Sequence, residues 1–225
     1  MSKKHQERIM CPRCREVDLV HIWDEIDADE EAELAVLDGE LFLFRCPKCN
    51  FLTTMNYNTV YRDRYRKATI MCISDEVAAA EEADALKNAF KDEGVENVLG
   101  AVRFVKNTDE LCEKAQIFFR NLDDRVVEII KWIARQEDTG QRGITTYEKI
   151  CFFWDRVGDD RWLLFRCETP FDRRVSQTYY EYVESRFEQE LANCPPEMVI
   201  DAAWAEQFMA KYPTATSWFF DKDAP

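Results

Sequence analysis

The sequence predicts an α+β protein: a small N-terminal module carrying a doubled cysteine motif, a helical middle, and a C-terminal β-hairpin with helices. Three observations carry that prediction. The unit Cys-Pro-x-Cys occurs twice, as Cys11-Pro12-Arg13-Cys14 and as Cys46-Pro47-Lys48-Cys49. Several short runs alternate apolar and polar residues with period two, as half-buried strands do. Leu122, Val126, Ile129 and Ile133 instead follow at offsets of four, three and four, which marks one helix face. Charge is uneven: nine acids and no base lie from Asp24 to Glu40, and residues 1–72 sum to −2, leaving −12 of the total −14 for the remainder.

Taken in order, Val17, Leu19, His21 and Trp23 alternate and predict a strand. Residues 29–37 are strong helix formers that stop near Gly39, so the acidic stretch reads as a short solvated helix. Residues 41–45, 51–55 and 68–73 read as further short strands. Ser74 can cap a helix over 75–91 that Gly94 ends. Residues 98–105 read as a strand, and Asn107 with Glu110 three positions on forms a capping signature for a helix over 108–120. The stripe from Leu122 to Ile133 then forms an amphipathic helix until Gly140 and Gly143 break the pattern. Residues 147–157 and 160–166 read as a hairpin turning at Gly158 and Asp159. A helix over 177–193 stops before Pro195 and Pro196, and Asp201 caps a last helix through Lys211. The division expected is 1–73, 74–139 and 140–225.

Length and composition narrow the classes. A chain of 225 residues and 26.6 kDa can bury a core without crosslinks, so it is no disulfide-stapled miniprotein. Its average surface, at −14, repels nucleic acid and anionic lipid, and a polyanion would need a local exception. Nine cysteines without a secretory leader point to reduced thiols and a cytoplasmic location. No run of eighteen apolar residues occurs, so no membrane-spanning helix is expected.

The doubled motif carries the chemistry. Two intervening residues let both thiolates of a turn reach one tetrahedral Zn²⁺ at about 2.3 Å, while turn amides remain free to donate to sulfur. Cys11, Cys14, Cys46 and Cys49 are therefore the expected ligands of one structural zinc ion. Proline at the second position fixes φ near −65°. Arg13 and Lys48 place cations beside the thiolates and favour the metallated state. Thirty-one residues separate the two units, whereas a simple zinc ribbon leaves roughly 15 to 20. The acidic helix supplies the insertion. The residue after the second cysteine of such a knuckle takes positive φ. Asn50 tolerates this, whereas Arg15 does not readily, so the first knuckle is expected to be the looser.

The pattern from Cys11-Pro-x-Cys14, through Ile22-Trp23-Asp24 and Leu37-Asp38-Gly39-Glu40-Leu41-Phe42, to Cys46-Pro-x-Cys49 resembles the CpXC protein family, bacterial and archaeal proteins named for these motifs. The resemblance extends over roughly residues 8–130, including Leu122-Asp123-Asp124-Arg125-Val126. It implies a metal-binding module of no established activity.

Other readings are weaker. A glutaredoxin-type dithiol needs one motif at a helix N-terminus, and here the motif is doubled and flanked by strands. His5 and His21 stand in no metallohydrolase spacing, and His21 reads as a partly buried strand residue. Cys72, Cys112, Cys151, Cys167 and Cys194 read as small core residues. Tyr61, Arg62, Asp63, Arg64, Tyr65, Arg66 and Lys67 have the composition of a single-strand nucleic-acid platform. Tyr57, Tyr61 and Tyr65, spaced by four, can equally be one helix stripe, and pairing of these bases with the acidic stretch is the favoured reading. The function expected is a zinc-stabilised interaction or regulatory module with a protein partner. The alternatives are an enzyme site in the C-terminal region or nucleic-acid binding through residues 61–67. Trp218, Phe219 and Phe220 cannot extend the stripe of Trp204, Phe208 and Tyr212 beyond Pro213, so a homodimer assisted by Trp218 and Phe220 is expected.

Overall fold

The computed structural model describes residues 2–28, 30–75, 78, 81–82, 84, 101–142, 151–157, 160–166 and 173–212. The chain divides into two compact units, Met1–Ala115 and Gln116–Pro225, of mixed α+β structure. In the first lie β1 (Lys3–Met10), β2 (Val17–Asp27), α1 (Glu30–Leu37), a 3-10 turn (Glu40–Phe42), β3 (Leu43–Arg45), β4 (Leu52–Thr54), β5 (Thr59–Asp63), β6 (Ala68–Cys72) and β7 (Ala101–Val105). Helix α2 (Thr108–Phe119) crosses from this unit into the next.

Five strands form one mixed sheet in the order β1, β2, β5, β6, β7, while β3 and β4 pair separately as a short antiparallel ribbon. β1 runs antiparallel to β2, and β2 lies parallel to β5 with Ile26 beside Tyr61. The sheet's core includes Ile26, Tyr61, Ile70, Val102 and Phe104. Among the described residues no helix is long and apolar enough to cross a membrane.

Capping chemistry sets both ends of α2. The Asn107 side chain accepts from the Glu110 N–H at 2.9 Å, and the Glu110 carboxylate accepts from the Lys106 N–H at 2.9 Å. At the other end Asn121 takes φ 55°, its N–H bonding Phe118 O at 2.9 Å while Leu122 N–H bonds Ile117 O at 3.1 Å. This is a Schellman closure, with asparagine in the left-handed position that glycine usually fills.

The second unit holds α3 (Asp124–Arg142), β8 (Cys151–Val157), β9 (Asp160–Arg166), β10 (Arg173–Ser176), α4 (Gln177–Ala192) and α5 (Ala202–Ala210). The strands form an antiparallel sheet in the order β10, β9, β8, with Val157 opposite Asp160 at the hairpin end. Ser176 accepts from Tyr179 N–H at 3.2 Å to cap α4, and Asp201 accepts from Trp204 N–H at 2.9 Å to cap α5. From Val126 to Lys131 every side chain of α3 is buried, so these turns are covered all round. Two of those residues are charged, and they pair: Lys131 Nζ lies 3.0 Å from Glu128 Oε1.

Several expectations are corrected. β1 was not expected from so polar a sequence. It forms because it is an edge strand exposed on both faces, where no hydrophobic pattern is required. β2 runs on to Asp27, so the first acids of the acidic stretch lie on a strand and the helix is confined to α1. Residues 40–42 form a 3-10 turn before β3, because Gly39 at φ 72° reverses the chain there. Tyr57, Tyr61 and Tyr65 form no helix stripe: Tyr61 is buried in β5, and Tyr65 is exposed in the turn after it. α3 passes through Gly140, whose cost of about 1 kcal/mol does not outweigh a helix already set by its buried turns. β10 was missed, being only four residues long. Most of the helix expected over 75–91, residues 98–100, 147–150, 158–159 and the aromatic tail at Trp218 and Phe220 lie outside the described residues.

A four-cysteine candidate metal centre

Each cysteine motif occupies a six-residue hairpin loop, and the two loops are built alike. Residues 11–16 join β1 to β2 beyond the pair Met10 and Val17, and residues 46–51 join β3 to β4 beyond Arg45 and Leu52. In the first, Cys11 N–H donates to Glu16 O at 2.8 Å and Arg15 N–H to Cys11 O at 2.9 Å. In the second, Cys46 N–H donates to Phe51 O at 2.9 Å and Asn50 N–H to Cys46 O at 3.0 Å. Arg15 has φ 61° and Asn50 φ 56°. The positive φ read from the sequence is present at both positions, and the bonds closing the first loop are as short as those of the second. The arginine holds a conformation that costs a side-chain-bearing residue roughly 1 kcal/mol or more.

The loops meet. Sγ atoms of Cys11, Cys14, Cys46 and Cys49 all lie within 4.8 Å of one another. Between loops, Cys11 to Cys49 is 3.7 Å and Cys14 to Cys46 is 3.5 Å. A tetrahedron of thiolates about 2.3 Å from its centre has edges of about 3.8 Å, so the sulfur spacing suits a four-thiolate metal ion. Cys11 and Cys46 are buried, and with Phe44 they form a small core against which Ile9, Val20, Phe51 and Met55 pack. That core joins the hairpin tips by apolar contact, and a bound ion would crosslink them.

Electrostatics at the cluster set Cys46 and Cys14 apart. Burial resists ionisation of Cys46, yet the N–H groups of Cys49 and Lys48 face its sulfur and the Cys14 and Cys11 thiols donate to it, drawing it down from 9.0 to about 7. At Cys14 the backbone of Glu16 favours the thiolate, but burial and the three other cysteines outweigh it and push the thiol up to about 12. Lys48 does not rest on sulfur. It bonds Glu16 Oε2 at 2.9 Å across the two loops, and that bond raises its pKa.

Glu16 and Phe44 were missed by sequence reasoning. For Glu16 the signal was available in the equal loop lengths, CPRCRE and CPKCNF, whose sixth residues, Glu16 and Phe51, close each loop; Phe44 lies outside both loops, on β3. The histidines stand apart: His21 is exposed rather than partly buried, with Gln6 at 3.4 Å, and His5 faces Asp24 at 3.0 Å. Cys72 is a buried core thiol and Cys112 a partly exposed one, each pushed up to about 12, chiefly by desolvation. Cys194 is half-buried, and the side chains of Cys151 and Cys167 lie outside the described residues.

The basic segment is paired with the acidic stretch. Arg62 meets Glu25 at 2.7 Å, Arg64 lies 3.5 Å from Asp27, and Arg66 bonds both Glu33 and the buried Asp63 at 2.6 Å. Two of these acids sit on β2 and one on α1.

Comparison with curated proteins and with solved structures gives no match. The paired cysteine loops, strands β2 to β7 and the start of α3 all fall within residues 9–131, over which the sequence matches the CpXC protein family, and the chain belongs to that family.

Proposed function

We propose that Cys11, Cys14, Cys46 and Cys49 hold one Zn²⁺ and that the chain is a zinc-stabilised interaction or regulatory module rather than an enzyme. The observation that carries this reading is the convergence of two matched hairpin loops on one cluster of four sulfurs within 4.8 Å. Four thiolates fill the tetrahedral shell Zn²⁺ prefers and leave no position for water or substrate, which is the arrangement of structural sites. When bound, the ion supplies a crosslink between segments thirty-one residues apart in sequence. The chain supplies preformed loops, amides facing Cys46, and a Lys48 to Glu16 bridge that shields the outside. A reducing compartment such as the cytoplasm keeps all four thiols available. Pairing of Arg62 and Arg66 with carboxylates supports an internal role for residues 61–67 rather than a nucleic-acid platform.

Elemental analysis of protein purified under reducing conditions tests the reading. One zinc per chain, colourless, is expected. Iron in its place, or no metal with two disulfides, overturns it.

A further inference from the structure

Within the first unit, the β1 and β2 hairpin has two unlike faces. Ile9 and Val20 pack on the core at the cysteine cluster. Their neighbours turn the other way: Met10 stands opposite Val17 and Arg8 opposite Leu19. Met10 is 60% exposed, Val17 53% and Leu19 52%. Single exposed apolar residues need no explanation, but three large aliphatics on adjoining cross-strand positions mark an interaction face. Cations border it. Arg8, Arg13 and Arg15 are exposed and take part in no ion pair among the described residues, whereas Arg62, Arg64 and Arg66 are all engaged by acids. In addition, β1 ends the sheet, so its far edge pairs with no strand among the described residues.

We infer that this face and the open edge of β1 take an extended acidic segment of a partner protein, which adds to the sheet as a further strand. The inference rests on the reading above, in which the metal pins the hairpin. Each part of the surface asks for one feature of such a segment. The strand edge offers backbone hydrogen bonds to an extended chain. Met10, Val17 and Leu19 accept its alternate apolar side chains. Arg8, Arg13 and Arg15 accept its carboxylates, and arginine does so in bidentate fashion. A second copy suits the edge poorly, because Lys3, Lys4 and Arg8 against Glu7 alone would set like charges across a β1 to β1 pairing. Nucleic acid suits the face poorly, because bases stack on aromatic rings and these side chains are aliphatic. The indole on this face, Trp23, already lies under Lys4 at 4.7 Å.

The test uses the zinc-loaded full chain, panned against a displayed library of random twelve-residue peptides. Enrichment of sequences alternating Asp or Glu with Leu, Ile, Val or Phe is expected. The best peptide, followed by fluorescence anisotropy, should bind Arg8→Glu and Leu19→Asp at least about tenfold more weakly than the parent. It should also slow amide exchange across β1. Enrichment of basic peptides, no enrichment, unchanged binding by both variants, or tighter binding of a twenty-residue oligothymidylate than of any peptide each overturns the inference. Zinc content is measured on every variant. If Leu19→Asp loses metal, Arg8→Glu carries the comparison, because Arg8 is exposed and lies on the face opposite Ile9. A parent chain without zinc would bring down the metal reading, while the peptide comparison would still decide the docking.

Discussion

The cysteine end of the first unit and the helical core of the second solve the same problem by different means. Among the described residues the cluster around Phe44 has three buried members, two of them cysteines, whereas the core built around α3, α4 and α5 has sixteen. Apolar burial at roughly 25 cal/mol per Å² can hold the second, where Phe187, Trp204 and Phe208 interlock with ring centroids 5.1 to 5.7 Å apart. It cannot hold the first. Two short hairpins with exposed outer faces need a crosslink, and the four sulfurs are placed to receive one. The difference teaches that four convergent sulfurs stand where the chain has too little apolar surface to build a core.

The largest expected effect breaks that comparison at its metal. Structural zinc carries on the order of 10 to 16 kcal/mol of apparent binding free energy in small peptides. Cys46→Ser, or removal of metal by a chelator, is expected to abolish amide protection in residues 9–20 and 43–54. The amides of α4 and α5 should keep theirs, as hydrogen exchange with mass spectrometry would read. Equal loss in both regions would show that the ion supports the whole chain. Phe208→Ala reverses the experiment. Truncation of a fully buried aromatic costs about 3 to 5 kcal/mol, so the melting transition of the second unit should fall while zinc content stays the same.

A smaller effect sharpens the comparison between the knuckles themselves. Arg15 at φ 61° pays about 1 to 2 kcal/mol for a left-handed backbone, and glycine would remove this while adding up to about 1 kcal/mol of unfolded-state freedom. Arg15→Gly should therefore stabilise the metallated chain by roughly 0.5 to 1 kcal/mol, a gain visible in chelator competition. Asn50→Gly should gain less, because asparagine visits that region readily.

Most of this site was legible in the sequence because its rules are local. The spacing of Cys11 to Cys14 and Cys46 to Cys49, the positive φ after each, and the caps at Asn107 and Asp201 all depend on residues within a few positions of one another. What escaped was set by distant partners. β1 has no apolar period and is a strand because β2 pairs with it; β5 was not read as a strand, although the pairing of Arg62, Arg64 and Arg66 with the acidic stretch was, because its place between β2 and β6 is set by residues far off in sequence. Gly140 looked like a terminator, and α3 continues through it. Local propensity fails in each case where a tertiary partner decides.

The smallest effect concerns the ion pairs that join β1 and β5 to β2. Glu25 accepts from Lys3 at 2.7 Å and from Arg62 at 2.7 Å. The Lys3 hydrogen bond, against some desolvation and with help from Arg62, holds its carboxyl below the ordinary 4.5. A carboxyl depressed in the folded state contributes stability that is fully present above its unfolded value and is lost as pH falls through the folded one. Glu25→Gln should therefore melt slightly below the parent at pH 7, and the gap should close as the pH is lowered through and beneath 4.5. Because the pair is solvent-exposed, 1 M salt should narrow the neutral-pH gap too. A gap that widens in acid would mean that Glu25 acts through packing at the β2 ladder rather than through charge, and β1 and β5 would then be held to β2 by the same means as the helical core.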